Sequence, residues 1–292
     1  MAVAVRAGEE KYHKKFLVGH TLDPNNKYDP IEYELANTEL LMAFVVFRHG
    51  DRTPDEEELK KFPTDQNYDK KGKQRGYLVG EYLRERYDNL ISKLYLPDEI
   101  SVRTTDYSRT KMTVLTALSA IYPPPPAQKW NPFLNWQPVP YDTLAFDDDD
   151  VTINLFLMSM SRVMTCNDSI AGVLLSDVLN ATNAAIEGKR DQPKLRLYSA
   201  HENNVAGFMV AIKVFKPHQP KYGSTISLEF RKRFLTGQYG FTVSYGGGPG
   251  IVLPIDGCGG QFFCDYDTFI NLTQEYVISR NDHKSLCLNP IS

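Results

Sequence analysis

The chain has 292 residues, 42% hydrophobic and 24% charged, with a formal net charge of −3. That is the composition of an ordinary globular protein, long enough to bury a sizeable core as one large domain or a domain with a small lobe. A near-neutral balance without a basic patch speaks against a nucleic-acid partner, and no run reaches the 18 or so apolar residues of a membrane span.

Taken in chain order, residues 1–38 are polar and rich in Asn, Asp and Tyr, and read as a loosely attached, poorly ordered arm preceding one domain over 39–292. Met1 to Asn26 has no apolar core of the length a signal peptide needs. Leu40 to Phe47 is a near-continuous apolar run whose β-branched and aromatic content predicts a buried strand, as in a parallel sheet. The spacing of Tyr77, Val79, Tyr82, Leu83 and Tyr87 predicts an amphipathic helix over Gly72–Tyr87. A short strand is expected at Ile100–Val102, and a helix at Ser108–Ile121, stopped by Pro123 to Pro126.

Lys129 to Pro140, rich in aromatics and proline, is expected to be irregular, with its aromatics serving core packing. Helices are expected at Ser169–Ile186 and Glu202–Phe215, with a strand at Leu195–Ser199 between them. Thr225–Phe230 and Tyr239–Tyr245 read as an antiparallel pair split by Thr236-Gly237-Gln238, and Tyr266–Tyr276 as a last helix. Strands alternating with helices indicate an α/β layered domain.

The sharpest signal is Arg48-His49-Gly50-Asp51-Arg52-Thr53-Pro54, which begins where the apolar strand ends. Ligands of open α/β sheets bind just outside the carboxyl ends of strands. There, His49 is a candidate nucleophile toward phosphorus, and Arg48 and Arg52 offer planar, permanently charged forks for phosphate oxygens. Neighbouring cations oppose protonation of His49, which keeps it nucleophilic in acid. At average residue frequencies, a chance match to R-H-G-x-R-x-P in such a chain is on the order of one in ten thousand, so the pattern is specific.

On these residues the sequence resembles the histidine acid phosphatases. The resemblance continues at Val102-Arg103-Thr104-Thr105-Asp106-Tyr107-Ser108-Arg109-Thr110, where it implies phosphate binding by Arg109. At Leu197-Tyr198-Ser199-Ala200-His201-Glu202 it implies phosphate binding by His201 and proton donation by Glu202. Trp130-Asn131-Pro132 and Trp136-Gln137-Pro138 are similar to the animal lysosomal, prostatic and insect members. The resemblance runs from about Glu39 to Pro290. It implies a phosphoglycerate-mutase-like three-layer α/β/α sandwich with a mixed central sheet. It also implies a secreted or lysosomal setting and a homodimer, for which the sequence carries no interface signal.

The implied activity is hydrolysis of small-molecule or phosphoprotein phosphate monoesters through a phosphohistidine on His49. No cofactor or metal is called for, because three arginines supply the positive charge. Two departures stand out. Glu202 replaces the family's Asp, and a long helical cap is much reduced, leaving 125–167 as its residue. These departures support an alternative reading, a catalytically weak or inactive phosphatase-like secreted binding protein. Asn167, Asn180 and Asn271 stand in glycosylation sequons. Of the four cysteines, Cys258 and Cys264 flank a short Gly-containing loop and read as a local disulfide, which leaves the pairing of Cys166 with Cys287 open.

Overall fold

The structure, a computed structural model, describes residues 35–52, 67–144, 166–189, 191–246, 250–279 and 282. Its axis is strand β1 (Thr38–Arg48). Successive side chains of a strand point to opposite faces, and both faces of β1 are apolar. Met42, Phe44 and Val46 enter one hydrophobic core, and Ala43, Val45 and Phe47 the other. Such a strand is stable only with a covering layer on each side.

Both layers are present. Helices α1 (Asn67–Arg86) and α2 (Ser108–Ile121) supply Val79, Leu83, Val114 and Leu118 to one core. Helices α3 (Cys166–Ile186), α4 (Glu202–Ala211) and α5 (Tyr266–Thr273) supply Leu175, Val178, Val205, Phe208 and Phe269 to the other. The first pair packs closely because α1 carries Gly80, where a Cβ would lie 2.2 Å from the Ala117 carbonyl oxygen.

Between the layers, the remaining strands are β2 (Ile100–Thr105), β3 (Asp142–Leu144), β4 (Leu195–Ala200), β5 (Thr225–Arg233), β6 (Tyr239–Gly246), β7 (Ile251–Leu253) and β8 (Cys264–Asp265). The sheet order is β3-β2-β4-β1-β5-β6-β7, with β8 also paired to β6. β3, β2, β4 and β1 are parallel, while β5, β6 and β7 continue antiparallel, which makes the sheet mixed. The carboxyl ends of β1, β2 and β4 therefore emerge along one edge, with Arg48 in register with Ala200.

Glu229 on β5 is a charged group buried in the sheet. It accepts from Arg86 Nε (2.6 Å), Tyr87 Oη (3.1 Å), Arg231 Nη2 (2.8 Å) and Thr242 Oγ1 (3.2 Å). Burial alone would raise its pKa, but the Arg86 and Arg231 guanidiniums outweigh it and hold the carboxyl at about 2. The cluster ties the end of α1 to the middle of the sheet.

Several sequence expectations are revised. β2 runs on through Arg103-Thr104-Thr105, residues too polar to extend an apolar pattern. α4 stops at Ala211 rather than Phe215, because Lys213 takes a left-handed φ of 60° and the Val214 N–H turns back to the Met209 carbonyl (2.9 Å). The aromatics after α2 do not all serve core packing: Trp130 is 59% and Phe133 97% exposed. Trp130 instead stands edge-on to Trp136 and donates Nε1–H to its carbonyl (2.8 Å), while Gln137 and Val139 are the residues this segment buries.

Cys258 and Cys264 are joined in a disulfide. Asn180 and Asn271 are exposed on α3 and α5. The side chains of Cys166 and Asn167, the acidic run Asp147–Asp150, residues 145–165 of the expected reduced cap, Cys287 and residues 1–34 lie outside the described residues.

Candidate active site

The loop leaving β1 is pinned from three sides. The His49 N–H donates to the Ala200 carbonyl (2.9 Å), the His49 carbonyl accepts from the Gly223 N–H (3.2 Å), and the Gly50 N–H donates to Thr113 Oγ1 on α2 (2.9 Å). Glycine is required at position 50 by close approach, since a Cβ there would lie 2.3 Å from the Gly72 carbonyl oxygen. Asp51 is held by an ion pair with Arg75 of α1, which keeps its carboxyl below the usual range.

The His49 ring is buried, and its Nδ1 lies 2.7 Å from the Gly50 carbonyl oxygen. A carbonyl can only accept, so Nδ1 carries the hydrogen and Nε2 of the neutral ring presents its lone pair. Burial pushes this imidazole down to about 4. The Arg109 and Arg48 charges add to that effect, while the bond to Gly50 and the Glu202 carboxylate oppose it.

Arg48 is buried, donates Nη1–H to the Pro220 carbonyl (2.7 Å), and places Nε 2.9 Å from Glu202 Oε2. Its guanidinium lies over the Tyr222 ring, 4.0 Å from the centroid.

From the end of β2 and the start of α2, Arg109 Nη2 reaches His201 Nδ1 (3.4 Å), with its guanidinium over Tyr107 (4.2 Å). His201, at the end of β4, caps α4: its N–H donates to Asn204 Oδ1 (3.1 Å). Nε2 of the same ring is 3.0 Å from Thr105 Oγ1, which itself donates to Thr110 Oγ1 (3.0 Å). Thr105 must therefore accept from His201, so Nε2 carries the hydrogen and Nδ1 faces Arg109 as a lone pair. Burial, followed by Arg109, His49, Arg48 and Arg52, drives His201 down to about 3.

The structure thus gathers five of the six sequence-designated residues through direct contacts. His49 and His201 stand 5.3 Å apart between ring centroids, Arg109 contacts His201, and Arg48 contacts Glu202. The sixth, Arg52, joins through its charge on His201. Sequence reasoning did not single out Tyr222 or the Thr105–Thr110 relay. Tyr222 lies in Pro220-Lys221-Tyr222-Gly223-Ser224, a Pro/Gly turn whose only signal is that it precedes a strand. Two imidazoles kept neutral in acid, ringed by guanidiniums and next to a carboxylate, can bind an anion, attack an electrophile and move a proton. Among the described residues, no group of three or more His, Cys, Asp or Glu side chains could hold a metal ion.

Comparison with known proteins agrees with this geometry. The family model described as histidine phosphatase superfamily (branch 2) matches residues 63–159. Venom acid phosphatase Acph-1 of Apis mellifera is 25% identical over 344 residues, covering 85% of this chain and 88% of the relative. Human prostatic acid phosphatase is 36% identical over 124 residues, 39% of this chain but only 31% of that enzyme. A Hafnia alvei phytase structure in complex with tartrate superposes with a TM-score of 0.57 at 14% identity, covering 83% of this chain and 98% of the phytase, and so shares the fold. Motifs at three strand ends, the mixed α/β/α architecture, the partial family-model match and relatives named venom, prostatic and lysosomal acid phosphatase together support the histidine acid phosphatase family for this chain.

Proposed function

We propose that this protein is an acid phosphatase that hydrolyses phosphate monoesters through a phosphohistidine on His49. The observation that carries this reading is the His49 ring itself. Its Nδ1–H is committed to Gly50, which leaves Nε2 as the ring's lone-pair nitrogen in a setting that keeps the ring neutral down to about pH 4. Phosphoryl transfer needs mainly positioning and charge stabilisation, and Arg48, Arg52, Arg109 and His201 are the groups assigned to hold the phosphate.

In the first step, Nε2 forms a bond to phosphorus as the ester P–O bond breaks, and the departing oxygen takes the proton of the Glu202 carboxyl. In the second, the Glu202 carboxylate takes a proton from water, the new oxygen bonds to phosphorus, and the N–P bond breaks to release inorganic phosphate. As lone-pair Nδ1 faces Arg109, His201 serves phosphate best once a bound dianion has drawn a proton onto it.

The substrate class is small-molecule or phosphoprotein monoesters. The exposed sequon residues Asn180 and Asn271 and the Cys258–Cys264 bridge favour a secreted or lysosomal setting. The decisive experiment is hydrolysis of para-nitrophenyl phosphate from pH 4 to 8, with His49→Ala as control. Acid activity that disappears in the variant is the expected result. A folded parent that binds phosphate without turnover would instead establish the phosphatase-like binding protein, a reading favoured by the Glu202 carboxylate resting on Arg48.

A further inference from the structure

We propose that Tyr222 is a positioning residue of this site, fixing the Arg48 guanidinium and walling one side of the His49 ring; the inference rests on the phosphatase reading above. Arg48 and His49 are consecutive, yet they point to different functions and need separate supports. The loop before β5 meets both. Its Pro220 carbonyl takes an Nη1–H of Arg48 (2.7 Å), and the Tyr222 ring covers one face of the same guanidinium at 4.0 Å. That ring also lies 5.5 Å from the His49 ring, tilted by 47°.

The loop is itself fixed. The Arg48 N–H donates to the Ser224 carbonyl (3.0 Å), the Gly223 N–H to the His49 carbonyl (3.2 Å), and both the N–H and Oγ–H of Ser224 to the Lys221 carbonyl (3.0 and 2.7 Å). Gly223 adopts φ +71°, and the stem of Arg75 lies where its side chain would be, so the residue after Tyr222 has no room to move.

A guanidinium has five N–H donors on a long flexible stem. Held at one edge by Pro220 and on one face by an aromatic ring, it keeps its fork in place before any anion arrives, and the ordering cost is not met at binding. The same ring excludes water from one side of His49, which belongs to the burial that keeps that imidazole neutral in acid. Neither role uses the phenol oxygen.

The test compares Tyr222→Phe with Tyr222→Leu, each verified for cooperative urea unfolding, with Tyr222→Met replacing Leu if the latter does not fold. Inorganic phosphate affinity is measured by calorimetry, and the His49 imidazole titration by proton–carbon NMR. The conservative Phe variant should retain the parent values. The Leu variant should lose phosphate affinity by about tenfold or more, raise KM along with it, and move the His49 titration upward toward pH 6.5. The inference is overturned if Leu changes neither quantity, or if Phe is as damaging as Leu, which would assign the effect to the hydroxyl. A parent that binds no phosphate and hydrolyses no ester would defeat the phosphatase reading, while the His49 titrations of the two variants would still decide the role of Tyr222.

Discussion

Glu202 Oε2 stands 2.9 Å from Arg48 Nε, so the carboxylate assigned to proton transfer rests on an arginine assigned to phosphate. Among the described residues no hydrogen bond is made at that Nε, so the contact with Glu202 is an ion pair off the donor axis. In the proposed mechanism, an incoming phosphate would offer Arg48 more charge and more acceptors and would displace Glu202 toward the leaving group.

Replacing Glu202 by Gln removes both the competitor and the acid. Inorganic phosphate, assayed by calorimetry at pH 7, should bind several-fold more tightly. Hydrolysis of an alkyl phosphate should fall by about 10²–10⁴, the usual contribution of a positioned acid, with a smaller loss for para-nitrophenyl phosphate, whose leaving group needs little protonation. Unchanged alkyl phosphate turnover would remove Glu202 from the mechanism.

Both imidazoles are held below their unfolded value of about 6.5, His49 at about 4 and His201 at about 3. A group whose folded pKa is lowered binds fewer protons in the native state. Stability is therefore full above pH 6.5 and is lost as pH falls toward 4 for His49 and toward 3 for His201. At about 1.4 kcal/mol per pKa unit, each residue costs a few kcal/mol in acid. Urea midpoints should drop between pH 7 and 4.5, less steeply in His201→Asn, and added phosphate should restore them by binding the native state. A midpoint independent of pH across this window would contradict the assignment.

Glu229→Gln leaves Arg86 and Arg231 without their shared counter-charge inside the protein. Removing one partner of a buried ion pair costs about 3–5 kcal/mol, so the urea midpoint should fall sharply. Glu229 lies in register with Ala43, well down β1 from His49, and KM of the folded fraction should hold. Loss of KM without loss of stability would place the cluster in the site instead.

Much of this molecule is written locally. Leu40 to Phe47 is apolar at every position, and only a strand covered on both faces can bury alternate side chains in two cores, so β1 and the layered class follow from the run itself. The same holds for α2, whose bounds Ser108–Ile121 match the periodic pattern and its proline stop. Arg48, His49 and Arg52 were legible from their motif at the end of β1, where ligands of open α/β sheets bind, whereas Arg109, His201 and Glu202 were legible only through the family resemblance. Extent was less legible where polarity or a left-handed residue intervened, as in β2 and at the end of α4.

What lay beyond the sequence is contact between segments far apart in the chain. Nothing near Arg48 indicates that Tyr222 stacks on it, nor near His201 that Thr105 fixes its tautomer. Nothing around Trp130 says that its ring stays outside. A local pattern records how a residue relates to its own helix or strand, which sets backbone geometry. Which side chain meets which across the sheet edge depends on register and on loop paths, and these are decided only when both cores close around β1.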